Sequence, residues 1–157
     1  MEKVLVIYYS KDGHTEKFAE KIRGMLKADI HKIEVEDSLF NMPHEDFENW
    51  AQKQAQKQEW PKIKDKPLNL APYDTIFVGS PVWWYSISMP IVSFLLKTDF
   101  QGKTVIPFGT VGGEQWIGKF FENFEEYAKN AKVVRGAVYE ESPLIDKKIT
   151  DWISGLE

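Results

Sequence analysis

The chain has 157 residues, a net charge of −4, 43% hydrophobic and 28% charged residues, and no cysteine. That length suits one domain, taken as 1–157, with a sizeable core. The mild acidity leaves no footprint for nucleic acid, and the missing thiols exclude disulfides, thiolate metal sites and cysteine nucleophiles. The N-terminus opens into an apolar run with no basic region before it, so no signal peptide is expected. No apolar run approaches the roughly 20 residues of a membrane span, and the expected location is the cytoplasm.

Val4 to Tyr8 is a short apolar run rich in β-formers, the pattern of a strand buried on both faces of a parallel sheet. From Thr15 the period changes. Phe18, Ala19, Ile22, Met25 and Leu26 fall on one helical face, and Glu16, Lys17, Glu20, Lys21 and Arg23 on the other. "DIHKIEV" alternates, which predicts a second strand near residues 29–35, at an edge. The stretch from Asp37 to Pro72 is polar. Glu45 to Gln58 reads as a helix with a face of Phe47, Trp50 and Ala51, and Pro61, Pro67 and Pro72 mark an irregular connection.

"TIFVGS" is the third strand, and Pro90 opens the helix that follows. "GKTVIPFGT" is the fourth strand, with an irregularity expected at Pro107, which has no N–H for a ladder. Trp116, Ile117, Phe120, Phe121, Phe124 and Tyr127 form an aromatic helical face. "KVVRGAVY" is the fifth strand. Leu144, Ile145, Ile149, Trp152, Ile153 and Leu156 face inward on a closing helix. Strict β/α alternation gives an α/β fold, a three-layer doubly wound sheet of five parallel strands. Such sheets bind ligands beyond the carboxyl ends of their strands, which selects loops 9–15, 79–88 and 109–115.

The first loop, Ser10 to Thr15, joins a strand to a helix whose first N–H groups lack intrahelical partners. Gly13 permits close backbone approach, Ser10 and Thr15 offer hydroxyls, and Lys11 and His14 could add charge. The loop reads equally as a phosphate cradle or an ordinary capped turn. The second, "GSPVWWYSISMP", carries two adjacent Trp. Neighbouring side chains in extended backbone point opposite ways, so Trp83 and Trp84 cannot both enter one core. One of them meets a planar ring, the 37–72 segment or a dimer partner. The third, "GTVGGE", leaves backbone groups bare at Gly109, Gly112 and Gly113, as a flexible turn also would. "GEQWIGKF" matches a P-loop except at Phe120, where magnesium needs a hydroxyl, and is taken as chance. Together the three loops suit a phosphorylated planar ring.

At these residues the chain resembles a short-chain flavodoxin. "SKDGHT" stands where that family has [ST]-x-[ST]-G-x-T, "GSPVWWY" is the aromatic loop after strand three, and "GTVGG" the loop after strand four. No insertion splits strand five, which argues against the long-chain class. The resemblance implies strand order 2-1-3-4-5 and noncovalently bound FMN. Ser10, Lys11, Asp12, Gly13, His14 and Thr15 would surround the phosphate. Pro81, Val82, Trp83, Trp84 and Tyr85 would line the ribityl chain and ring, and Thr110, Val111, Gly112 and Gly113 would approach the opposite ring edge. Glycines 109–113 or Gly79 would allow the peptide rearrangement that accompanies flavin reduction in the family. Asp12 departs from the usual hydroxyl, although a similar "DG" occurs in flavodoxin-type protoporphyrinogen oxidases.

Chemistry would reside on FMN, with no catalytic side chain and no metal. The implied function is electron transfer to a redox partner protein or a small quinone-like acceptor, by a monomer or homodimer. Dedicated carriers are strongly acidic, so a charge of −4 gives weight to an alternative, an FMN-dependent NAD(P)H:quinone-type reductase. A non-enzymatic protein-binding module is the second alternative. The scattered His14, His31 and His44 read as structural or surface residues. The phosphoacceptor Asp of a receiver, the Cys of a low-molecular-weight phosphatase and a G-x-S-x-G elbow are all missing.

Overall fold

In the computed structural model, residues 3–36, 49, 52, 53, 56, 57 and 60–156 are described. β1 (Val4–Tyr8) is buried at every position. It runs parallel between β2 (Asp29–Lys32) and β3 (Thr75–Trp83), with Val6 beside both Ile30 and Phe77. Beyond β3 lies β5 (Thr104–Val111), also parallel, with Phe77 beside Ile106. The sixth and seventh strands, β6 (Lys132–Val133) and β7 (Ala137–Glu140), pair with opposite ends of β5. Counting those two as one broken strand gives the expected order 2-1-3-4-5, with β2 at the edge.

The strand period of two sorts the core into two layers. Val4, Val6, Tyr8, Phe77, Ile106 and Phe108 face one cluster, with Phe18, Ala19 and Ile22 of α1 (His14–Leu26) and Ile149 and Ile153 of α4 (Ile145–Leu156). Leu5, Ile7, Ile76, Val78 and Val105 face the other, with Ile91 and Leu95 of α2 (Met89–Leu96) and Phe120 and Phe124 of α3 (Phe120–Tyr127). Helices on both faces explain why the strands are apolar runs rather than alternating ones. Pro90 lies in the first turn of α2.

The irregularity expected at Pro107 falls on its neighbour. Lys103 and Val105 accept hydrogen bonds through their carbonyls from the Lys132 and Val134 amides. Residue 107, two further on, turns its polar groups the same way and has no N–H to give. The partner strand breaks there, between β6 and β7. Gly136 passes so close that a side chain would overlap the Pro107 carbonyl.

Several expectations need correction. β2 ends at Lys32, and only an isolated antiparallel bridge between Val35 and Ile63 extends it. Trp116 is not on the α3 face: it sits in a 3₁₀ turn, Glu114–Trp116, 47% exposed. Leu144 precedes α4 and is 61% exposed, so it does not face inward. A short β4 (Ser86–Ile87), which folds back antiparallel on the end of β3, was not foreseen. Of the helix expected over Glu45–Gln58, Asn49, Gln52, Lys53, Gln56 and Lys57 are helical and exposed, while its Phe47, Trp50 and Ala51 face lies outside the described residues. Among the described residues no helix is long and apolar enough to cross a membrane.

Candidate functional site

β1, β3 and β5 are adjacent in the sheet, so the loops at their carboxyl ends meet. The first loop turns into α1 through Gly13, whose φ of +96° suits glycine. The Gly13 N–H donates to Ser10 Oγ at 3.1 Å, and the His14 N–H lies 3.4 Å from Asp12 Oδ1. Thr15 is 1% exposed, and its hydroxyl lies 2.8 Å from that of Thr110, joining the first loop to the third. His14 Nδ1 is 3.2 Å from Glu141 Oε2 but makes no hydrogen bond, and its Nε2 is 4.0 Å from Asp12 Oδ2. The Asp12 side chain is largely exposed. Its carboxylate nevertheless faces one of the N–H groups an anion would use.

The second loop is a hairpin. Val82 pairs with Ile87 and Trp83 with Ser86, so Trp84 and Tyr85 are the two turn residues. Both are left-handed, with φ of +53° and +64°. Two-residue hairpins of this kind require positive φ at both central positions and favour Asn-Gly. Bulky side chains there are strained. Two contacts hold the conformation. The Ser88 N–H donates to Ser80 Oγ at 2.9 Å, and the Lys119 N–H donates to the Tyr85 carbonyl at 2.8 Å. Trp83 packs inward, edge-on to Tyr9 with ring centroids 5.7 Å apart. Trp84 and Tyr85 remain 39% and 53% exposed. Trp83 thus packs inward, while Trp84, carried out of extended backbone by the turn, stays partly exposed.

The loops enclose an open cavity of about 530 Å³. Lys11 and Asp12 line it from the first loop, Pro81 to Tyr85 from the second, and Val111 and Gly112 from the third. Ser10, Gly13, His14, Thr15 and Thr110 are not in its wall; they gather at the α1 N-terminus instead. Gly113 is also outside it, packed so that a side chain would overlap Gln115. Trp116, whose spacing predicted a place on the aromatic helical face, completes the wall instead. Its clue was the adjacent "GG": a Cβ on Gly112 would stand 3.2 Å from the Trp116 ring. Gly79 and Gly109 lie within the sheet. Both are paired within strands, and side chains on them would collide with the Phe108 ring and with the Ser80 carbonyl and Phe120 ring, respectively.

Among the described residues no group of three or more His, Asp or Glu is placed to hold a metal. His31 bonds Asp65 at 2.5 Å, tying residue 65 to β2, and His44 lies outside the described residues. Burial pushes the Tyr8 and Tyr9 phenols well above their ordinary 10.0, helped by a hydrogen bond to Glu16 and by the Asp12 charge, respectively. Above pH 10 the unfolded chain therefore holds fewer protons than the folded one, and stability falls as pH rises. Urea denaturation should record that decline, with a shallower slope in Tyr9→Phe. A flat profile up to pH 12 would contradict the burial of these hydroxyls.

Comparison with known proteins supplies the lineage. The flavodoxin family profile matches residues 3–156. A flavoprotein of Lactobacillus acidophilus, solved in complex with FMN, is 27% identical with a TM-score of 0.79, over 97% of this chain and 99% of that one. The apo-form of a flavoprotein from the same organism, solved by NMR, is also 27% identical, with a TM-score of 0.64 over 94% and 97% of the two chains. A curated relative from Cupriavidus metallidurans, named NAD(P)H dehydrogenase (quinone), is 33% identical over 113 residues, which is 72% of this chain and 55% of that protein. The chain thus spans about half the length of the curated relatives it matches. Fold, loop order and family profile agree, and the chain belongs to the flavodoxin family.

Proposed function

We propose that this chain binds FMN noncovalently across the three loops and transfers electrons through it. The observation that carries this reading is the continuity of two unlike surfaces: an aromatic-walled cavity of about 530 Å³ and a hydroxyl-bearing helix N-terminus. The cavity lies within the roughly 300–1,000 Å³ usual for small-ligand sites. Trp83, Trp84, Tyr85 and Trp116 offer faces and edges for a planar ring. Ser10, Thr15 and the first amides of α1 offer donors to a phosphate, favoured by the helix dipole. Bound FMN supplies one- and two-electron chemistry, and the protein's part is to hold and orient it.

Asp12 and Glu141, on either side of His14, work against the phosphate. Asp12→Ser is therefore expected to tighten FMN about tenfold, since one unit charge pair at 4 Å is worth about 1 kcal/mol in water and the His14 amide is also released. Riboflavin affinity should not change. Equal gains for both flavins, by fluorescence titration, would sink this assignment.

A second reading, FMN-dependent reduction of a quinone-like acceptor by NAD(P)H in the cytoplasm, is favoured by the names of the curated relatives. The flavin-loaded protein distinguishes the two. Rapid NADPH oxidation with a quinone supports the reductase. Photoreduction to a persistent one-electron state without turnover supports the carrier. Protein that takes up no FMN at micromolar concentration contradicts both.

A further inference from the structure

A second cavity, of about 300 Å³, also has Trp83 and Trp84 in its wall. Its aromatic lining is Trp60, Trp83, Trp84 and Tyr127. Trp60 and Tyr127 meet edge-to-face with centroids 6.1 Å apart. Aromatic groups at such angles present faces and edges suited to an inserted flat ring.

The polar lining is specific. Asn123 is largely buried, and its Oδ1 accepts the Ile87 N–H at 3.1 Å. That bond fixes the amide orientation and leaves the Asn123 NH₂ group as a donor. The described residues give it no hydrogen-bond partner, on a side chain that lines the cavity. Lys119 adds an ammonium to the same lining. Donors beside aromatic walls select a flat ring carrying carbonyl oxygens. They do not select a simple hydrocarbon, which would leave the amide unpaired, nor a phosphate, which Glu126 in the same lining disfavours.

We propose that this second cavity is a binding site for a small planar aromatic dicarbonyl of the quinone class. It is separate from the flavin cavity and shares only the Trp83–Trp84 wall with it. Ring stacking on Trp60 and a hydrogen bond from Asn123 Nδ2 to a carbonyl oxygen hold the ligand. Binding itself needs no flavin. Only the use of the site as a waiting place for an electron acceptor rests on the flavin reading above.

The probe is 2,3-dimethyl-1,4-naphthoquinone, titrated by calorimetry into FMN-free and FMN-loaded protein. One molecule should bind in both states, with affinities within threefold of each other. Trp60→Ala should weaken it at least tenfold. Asn123→Asp keeps the acceptor for Ile87 and deletes the donor; it should weaken the quinone at least fivefold and leave 2,3-dimethylnaphthalene unaffected. Both variants should hold FMN within twofold of wild type. Asn123→Asp carries the test if Trp60→Ala loosens the neighbouring chain. Displacement of the quinone by FMN, unchanged quinone affinity in Asn123→Asp, or equal affinity for the hydrocarbon would overturn the proposal. Failure to bind FMN, with quinone binding intact, would overturn the flavin reading alone.

Discussion

Thr15→Val should weaken FMN by about 10- to 100-fold and riboflavin by less than threefold, because a hydrogen bond to a charged group contributes about 1.5–3 kcal/mol. The side chain keeps its shape and loses only its hydroxyl. Two roles of that hydroxyl must be separated. It bonds Thr110 across a buried contact of 2.8 Å, and it stands in the first turn of α1, where the phosphate is proposed to bind. Loss of Thr15 Oγ1 strands the Thr110 hydroxyl, at a cost of about 1–3 kcal/mol in stability. The double variant Thr15→Val, Thr110→Val removes both partners and should recover most of that stability. FMN affinity should not recover with it. Parallel recovery of the two would assign the hydroxyl pair to packing and remove it from the phosphate site.

Trp84→Asn combined with Tyr85→Gly should cost about 100-fold in FMN affinity while FMN-free stability stays within about 1 kcal/mol of wild type. Two large, half-buried aromatics would ordinarily contribute a few kcal/mol through the apolar area they remove from water. Here both sit at positive φ, 53° and 64°, where an L-residue is strained by roughly 1–2 kcal/mol each. Asn-Gly fits the same turn without that strain, so relief offsets the lost burial. A hairpin in this form at such a cost fits the proposed ring site, whose cavity Trp84 and Tyr85 line. A stability loss above about 3 kcal/mol, in step with affinity, would show the aromatics to be structural instead. Chemical denaturation and flavin fluorescence, run on the same samples, separate these outcomes.

The sheet was legible because its signals are local. Apolar runs at 4–8, 75–80 and 104–109, alternating with amphipathic helices, dictate parallel strands covered on both faces, and the packing of Val6 and Ile7 into opposite clusters follows. The three loops were legible because strand order puts β1, β3 and β5 side by side. What escaped reading depends on contacts distant in sequence. Trp116 has the spacing of a helical face, yet Gly118, at φ +53°, ends the register before α3 begins and turns the indole to the cavity. The β4 hairpin has no Asn-Gly signal, since its turn is Trp-Tyr. Leu144 fits the α4 period but lies before the helix starts. The break opposite Pro107 was expected on β5 and fell on the adjoining strand, because the missing donor faces Gly136.

Asp12 carries the sharpest tension in the site. Its carboxylate faces the His14 amide at 3.4 Å, where an incoming phosphate would bond. A phosphate bound there would have to displace that contact. The balance between Asp12 and Thr15 therefore decides whether the cradle accepts a phosphate at all. Titration of FMN and riboflavin into flavin-free protein, followed by quenching of flavin fluorescence, reads that balance directly. The account predicts that FMN binds at least tenfold more tightly than riboflavin, with the gap widened in Asp12→Ser and narrowed in Thr15→Val. Equal affinities for the two flavins, unchanged in both variants, would contradict it.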